Sequence, residues 1–212
     1  MRVLRTAFCL LAVATFAHAA LAQSYAEVLK AVETGEVREV EALLQRGIDP
    51  DTADPKGYSL LMLAARRGDF DMARLLIEYK ANVRARSAYG DTPLLMAALG
   101  GHIEIAKLLV AKGAEVDGSG WTALHYAAFE GNAAMVSWLL SVGAKSNALA
   151  PNGYSALMLA ARGGHLDAAR TLLHADADLG VEGPSGETAL GIATARGYVE
   201  LAALFKRAGA VK

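Results

Sequence analysis

Apolar positions recur along this chain in short runs that come in pairs. Leu94-Leu95-Met96-Ala97-Ala98 is one such run, broken by Gly100-Gly101. A second run follows, with Ile103, Ile105, Ala106, Leu108, Leu109 and Val110 at helical spacing, and Gly113 ends it. Thr92 ahead of Pro93 reads as a helix cap with proline at the first helical position. The same sentence is written five times. Its leading glycines are Gly57, Gly90, Gly120, Gly153 and Gly186, spaced 33, 30, 33 and 33 residues apart. A fixed period of this length predicts a stacked array of helix-turn-helix units, each too small to cover its own apolar face. The broad apolar face of the central second helix places Leu108 in the expected core.

Ser or Thr stands at the capping position in every copy: Ser59, Thr92, Thr122, Ser155 and Thr188. Paired alanines (64–65, 97–98, 127–128, 160–161) predict close approach of neighbouring first helices. Residues 24–56 form an atypical first unit, with Ala26, Leu29 and Val32 facing inward and a polar cover rich in Glu; this suits the exposed end of a stack. The remaining units are 57–89, 90–119, 120–152, 153–185 and 186–212, the last ending in the polar Lys206, Arg207 and Lys212. The loop 116–120, VDGSG, is three residues short of its counterparts and predicts a notch in a row of projecting fingers.

These units resemble ankyrin repeats. Thr92-Pro93-Leu94, Trp121-Thr122-Ala123-Leu124-His125, Gly101-His102, Gly164-His165, Gly113-Ala114 and Gly143-Ala144 carry the resemblance, which runs from Ser24 to the end of the chain. It implies an all-α repeat solenoid of stacked helix-turn-helix ankyrin repeats with β-hairpin fingers. It also implies a protein that binds another protein at its finger tips and along the first helix of each repeat. Two departures stand out. The signature histidine survives only as His125, and Lys80 and Asp176 replace the glycine that ends the second helix.

Residues 1–22 lie outside the array. Arg2 and Arg5 precede an apolar run from Ala7 to Ala17 and the small-residue site Ala20-Leu21-Ala22. That order reads as a signal peptide cut ahead of Gln23, and the run is short for a membrane span. The chain from Gln23 on then has no cysteine, since Cys9 is the only one, and is indifferent to an oxidising compartment. The expected location is periplasmic, with secretion as the alternative. Removing Arg2 and Arg5 from the 21 Lys and Arg leaves 19 against 22 Asp and Glu, a net charge of −3. An acidic balance argues against nucleic acid as partner.

Little in the chain suggests chemistry. His102, His125, His165 and His174 are far apart in sequence, where zinc needs clustered ligands. Asp49, Asp51 and Asp54 lack the glycine and distal glutamate of a calcium loop. No nucleophile with base and orienter is visible, so no enzyme, metal or cofactor is expected. The expected partner is another protein, held by a monomer with no membrane contact after signal cleavage. The expected contacts are Tyr58, Arg66, Arg67, Tyr89, Asp91, Leu99, Trp121, Phe129, Glu130, Tyr154 and Arg162, together with Arg196. Aromatic residues are 7% of the chain, yet five fall in this set with four arginines, the types that dominate binding hot spots. Trp121 is expected to be left open by the short finger. Two alternatives remain: Tyr58 and Tyr154 cover the neighbouring finger, or the groove takes a small molecule or cell-wall fragment, as binder or hydrolase.

Overall fold

The structure is a computed structural model and describes residues 24–209. The expected signal peptide, and Lys212 at the far end, fall outside the described residues. Helix α1 runs over 24–34. It is followed by α2 (Val37–Gln45), α3 (Leu60–Arg67), α4 (Phe70–Glu78), α5 (Pro93–Gly100), α6 (Ile103–Ala111), α7 (Ala123–Phe129), α8 (Ala133–Ser141), α9 (Ala156–Gly163), α10 (Leu166–His174), α11 (Ala189–Ala195) and α12 (Val199–Arg207). Two layers result. Helices α3, α5, α7, α9 and α11 stack in order, and α2, α4, α6, α8, α10 and α12 form a parallel row behind them. Among the described residues no helix is long and apolar enough to cross a membrane.

Local sequence starts each first helix. The side chains of Ser59, Thr92, Thr122, Ser155 and Thr188 accept from the backbone N–H three residues on, at 3.2–3.4 Å. Burial then differs between the layers. In α5 every residue from Pro93 to Ala98 is buried, because α3 and α7 cover it from both sides. The paired alanines 64–65, 97–98, 127–128 and 160–161 are all 0% exposed, so their small side chains do set the distance between first helices.

The second helices bury one face only, and the expectation for Leu108 is corrected here. Ile105, Ala106 and Leu109 are buried, whereas Leu108 is only part-covered. Leu109 belongs to a column, with Leu76, Leu139, Leu172 and Phe205, that is 0% exposed throughout. Leu108 belongs to the next column, where Trp138 and Thr171 also stand part-covered.

The fingers are turns more than hairpins. Strand pairing is limited, among the described residues, to isolated bridges Ala53–Ser59 and Leu149–Ser155. Four fingers share one pattern nonetheless. The N–H of Asp54, Ser87, Ala150 and Gly183 donates to the carbonyl four residues later, at 2.8–2.9 Å, and the carbonyl of the same residue accepts the N–H three residues later, at 2.8–3.0 Å. The short third finger lacks this pair of bonds. Lys80 and Asp176 adopt φ of 72° and 55°, the left-handed conformation that their glycine counterparts take at 93–99°.

Leu109→Ala should cost about 2–5 kcal/mol through the cavity it leaves, and Leu108→Ala about 1 kcal/mol, in urea melts of the two variants. Equal losses would contradict the assignment of the columns. Lys80→Gly should raise stability by up to about 1 kcal/mol, since an L-residue in the left-handed region carries roughly 1–2 kcal/mol of strain and glycine returns part of it as chain entropy.

Candidate functional site

Each repeat exposes the last turn of its first helix and the base of the finger before it. The helix-end column reads Arg66, Leu99, Phe129, Arg162 and Ala195; beside it lie Arg67, Gly100, Glu130, Gly163 and Arg196. Arg66, Arg67, Glu130, Arg162 and Arg196 are exposed, Phe129 is 44% exposed, and Leu99 is half-buried against the core. The finger-base column reads Tyr58, Asp91, Trp121, Tyr154 and Glu187.

The two columns share one face. The Arg66 guanidinium lies 6.0 Å from the Tyr58 ring centre, and the Tyr89 ring is 6.3 Å from the Tyr58 ring. Tyr89 itself is 70% exposed at the tip of the second finger. At the other end, Tyr154, Arg162, Glu187 and Arg196 line an open hollow of about 370 Å³. Arg67 is tied back to the first unit, where its Nη1 donates to the Glu33 carbonyl.

Several members of the finger-base column are already engaged within the stack. Asp91 is only 6% exposed, not the free contact that the sequence suggests. Its Oδ2 accepts from the Tyr58 hydroxyl at 3.0 Å and its Oδ1 from the Tyr126 hydroxyl at 3.1 Å, so one carboxylate bridges three repeats. Burial, and then the charge and hydrogen bond of Asp91, push the Tyr126 hydroxyl up to about 12. Burial, then the Asp91 bond, also raises Tyr58. Tyr154 repeats the arrangement one array-half later, donating to Glu187 Oε1 at 2.5 Å. That hydrogen bond raises the tyrosine and lowers the glutamate. The reading in which these tyrosines cover the next finger therefore describes their hydroxyls, while the residues as a whole are only part-buried.

Trp121 is half-buried rather than open. His125 meets it edge-on at 5.9 Å and the Tyr126 ring lies at 5.7 Å. The notch expected at the short finger is present. It is a cavity of about 90 Å³ lined by Arg84, Arg86, Thr92, Glu115, Gly118 and Trp121 among others. A small-molecule site typically needs roughly 300–1,000 Å³, so this cavity does not supply the closed pocket that a groove hydrolase requires. Among the described residues, no group of three or more His, Cys, Asp or Glu is placed to hold a metal ion.

Among the described residues, His125 is the one buried titratable ring beneath this face. Its Nδ1 accepts the Thr122 backbone N–H at 3.1 Å, which leaves the proton on Nε2, donated to the Ala148 carbonyl at 2.9 Å. Burial holds its pKa below the usual histidine value, against the opposing pull of the Ala148 bond and Asp117. Tyr126 and Glu115 escaped the sequence reading. Tyr126 had a visible signal, as the one hydroxyl-tipped aromatic inside an apolar first-helix run.

The sign of the pH effect follows. An unfolded chain takes up the His125 proton from about pH 6.5 downward, while the folded chain resists until its depressed pKa. The stabilisation is complete above pH 6.5 and is lost as pH falls through the folded value. His125→Gln should therefore flatten the fall in melting temperature between pH 7 and 5. An unchanged slope in the variant would refute the burial of a neutral ring.

Comparison with known proteins agrees with this geometry. The chain matches the sequence profile described as "Ankyrin repeats (3 copies)" over residues 28–119, 61–150, 115–183 and 144–211. It is 34% identical over 121 residues to a "Putative ankyrin repeat protein" of Rickettsia bellii (strain RML369-C), an alignment covering 53% of this chain and 35% of that protein. The aligned part is thus about a third of the relative's length. The chain belongs to the ankyrin-repeat family, whose repeats are generally protein–protein interaction modules.

Proposed function

We propose that the chain is exported, cut ahead of Gln23, and serves in the periplasm as a non-catalytic module that holds another exported protein. The partner lies against the helix-end column and the finger bases beside it. The carrying observation is that column: Arg66, Leu99, Phe129 and Arg162 recur at one position of successive repeats and present an apolar centre between two cations. A rigid stack orders little backbone on docking, and aromatic and arginine side chains are the types in which hot spots concentrate. Scaffolding, inhibition and protection of the partner all use such a face.

The test is retention of partner from periplasmic extract by wild type, Phe129→Ala and Arg162→Ala. One protein held by wild type should be weakened by about 2 kcal/mol or more in each variant, with at most a small fall in melting temperature because Phe129 is 44% exposed and Arg162 is exposed. Full retention by both variants would reject the face. Amino-terminal sequencing of the periplasmic protein should begin at Gln23; recovery of the intact chain in the cytoplasm would reject export.

A further inference from the structure

We infer that the missing tip of the third finger is a docking notch for a carboxylate-bearing turn of the partner protein, an inference that rests on the binding-module reading above. Each full-length finger leans on the one before it. A methyl group placed on Gly57 would lie 3.0 Å from the Ala88 nitrogen of the next finger, and Ala88 donates its N–H to the Lys56 carbonyl at 3.1 Å. A methyl on Gly153 would lie 3.1 Å from Pro184 Cγ, and one on Gly120 3.8 Å from Pro151 Cγ. A methyl group placed on Gly90 would meet nothing within 4 Å, although a repeat follows it. The tip that should cover it is the one shortened by three residues. The second finger therefore ends bare, with Tyr89 70% exposed.

Below this gap lies the 90 Å³ cavity, room for about three waters or one carboxylate side chain. Its walls carry an unbalanced charge. Arg84 Nη1 and Arg86 Nη2 each stand 4.0 Å from a Glu115 oxygen, so two guanidiniums share one carboxylate at the limit of ion pairing. The Asp117 carboxylate keeps its charge but does not line the cavity; it accepts the backbone N–H of Lys145 in the next repeat. Gly118 keeps the floor clear, because a side chain there would meet Arg86 Nη2 at 3.0 Å. Trp121 forms the apolar wall. A second carboxylate entering from a partner's turn would complete the charge, and the turn's backbone would take the place of the absent finger tip.

Two variants isolate the notch. One replaces Gly118-Ser119 with the five residues 148–152 of the fourth finger, restoring the tip. The other is Arg86→Ala, an exposed change that leaves folding intact. The probe is a phage-displayed library of random heptapeptides selected on the purified chain. The winning peptide is then synthesised and titrated against Trp121 fluorescence in a Trp138→Phe background. The expected winners contain Asp or Glu, shift Trp121 emission, and bind at least tenfold more weakly to both variants and in high salt. Winners without an acid, no winner on wild type beyond those on Arg86→Ala, or equal binding to wild type and Arg86→Ala would each overturn the inference. If the restored finger fails to fold, Arg86→Ala decides. A partner lost with Phe129→Ala but held fully by both notch variants would keep the binding face and discard the notch.

Discussion

Among the described residues no helix can hide its own apolar surface. Helices of seven to nine residues are too short to persist alone in water. The run from Pro93 to Ala98 is buried on every side only because α3 and α7 lie against it. Stability is therefore a property of interfaces between repeats, and every interface depends on neighbours keeping the same register. The alanine pairs set the spacing of the first layer, and the Leu76–Leu109–Leu139–Leu172–Phe205 column fills the space between the layers. A loss at either is felt by two repeats at once.

Polar groups fix that register where apolar packing alone would allow slippage. His165 Nε2 donates to the Phe129 carbonyl of the preceding repeat at 2.9 Å. The same sequence position holds His102, Asn132 and Tyr198, each lying against a left-handed glycine of the repeat before it: Gly68, Gly101 and Gly164. A side chain on any of those glycines would collide with it. Asp51, Asp117 and Asn147 likewise accept a backbone N–H from the next repeat, those of Asn82, Lys145 and Asp178. The tyrosine–carboxylate pairs belong to this set of pins, which is why Asp91 is buried on a face that otherwise meets solvent.

The fold was legible because its signals are periodic. Caps, alanine pairs and turn glycines recur at one spacing, and each has a local physical cause that survives in the structure. The placement of Leu108 was not read correctly from one helix, where Leu108 and Leu109 look alike. Laying the repeats over one another separates them, since Thr171 and Trp138 share the Leu108 column and a fully buried column would not carry a threonine without a cost. The site was legible as a face and illegible as a set of free groups. Sequence marks Tyr58, Asp91 and Tyr154 as polar or amphipathic residues near a turn. Only the offset of 33 residues between each tyrosine and its acid reveals that the hydroxyls are spoken for within the stack.

The short finger shows what such a stack can give up. At the junction of the second and third fingers the mutual contact found elsewhere is gone, yet α5 packs on α7 much as α7 packs on α9. Other bonds hold that junction. Arg84 Nε donates to the Gly113 carbonyl at 2.7 Å, where the neighbouring repeats use an Asp or Asn. Tyr126 reaches back from α7 to Asp91. The helical layers and these substitutes carry the register, so the finger tips are dispensable to the fold. A position that folding does not need, bordered by two arginines and an indole, is free to vary with whatever the protein binds.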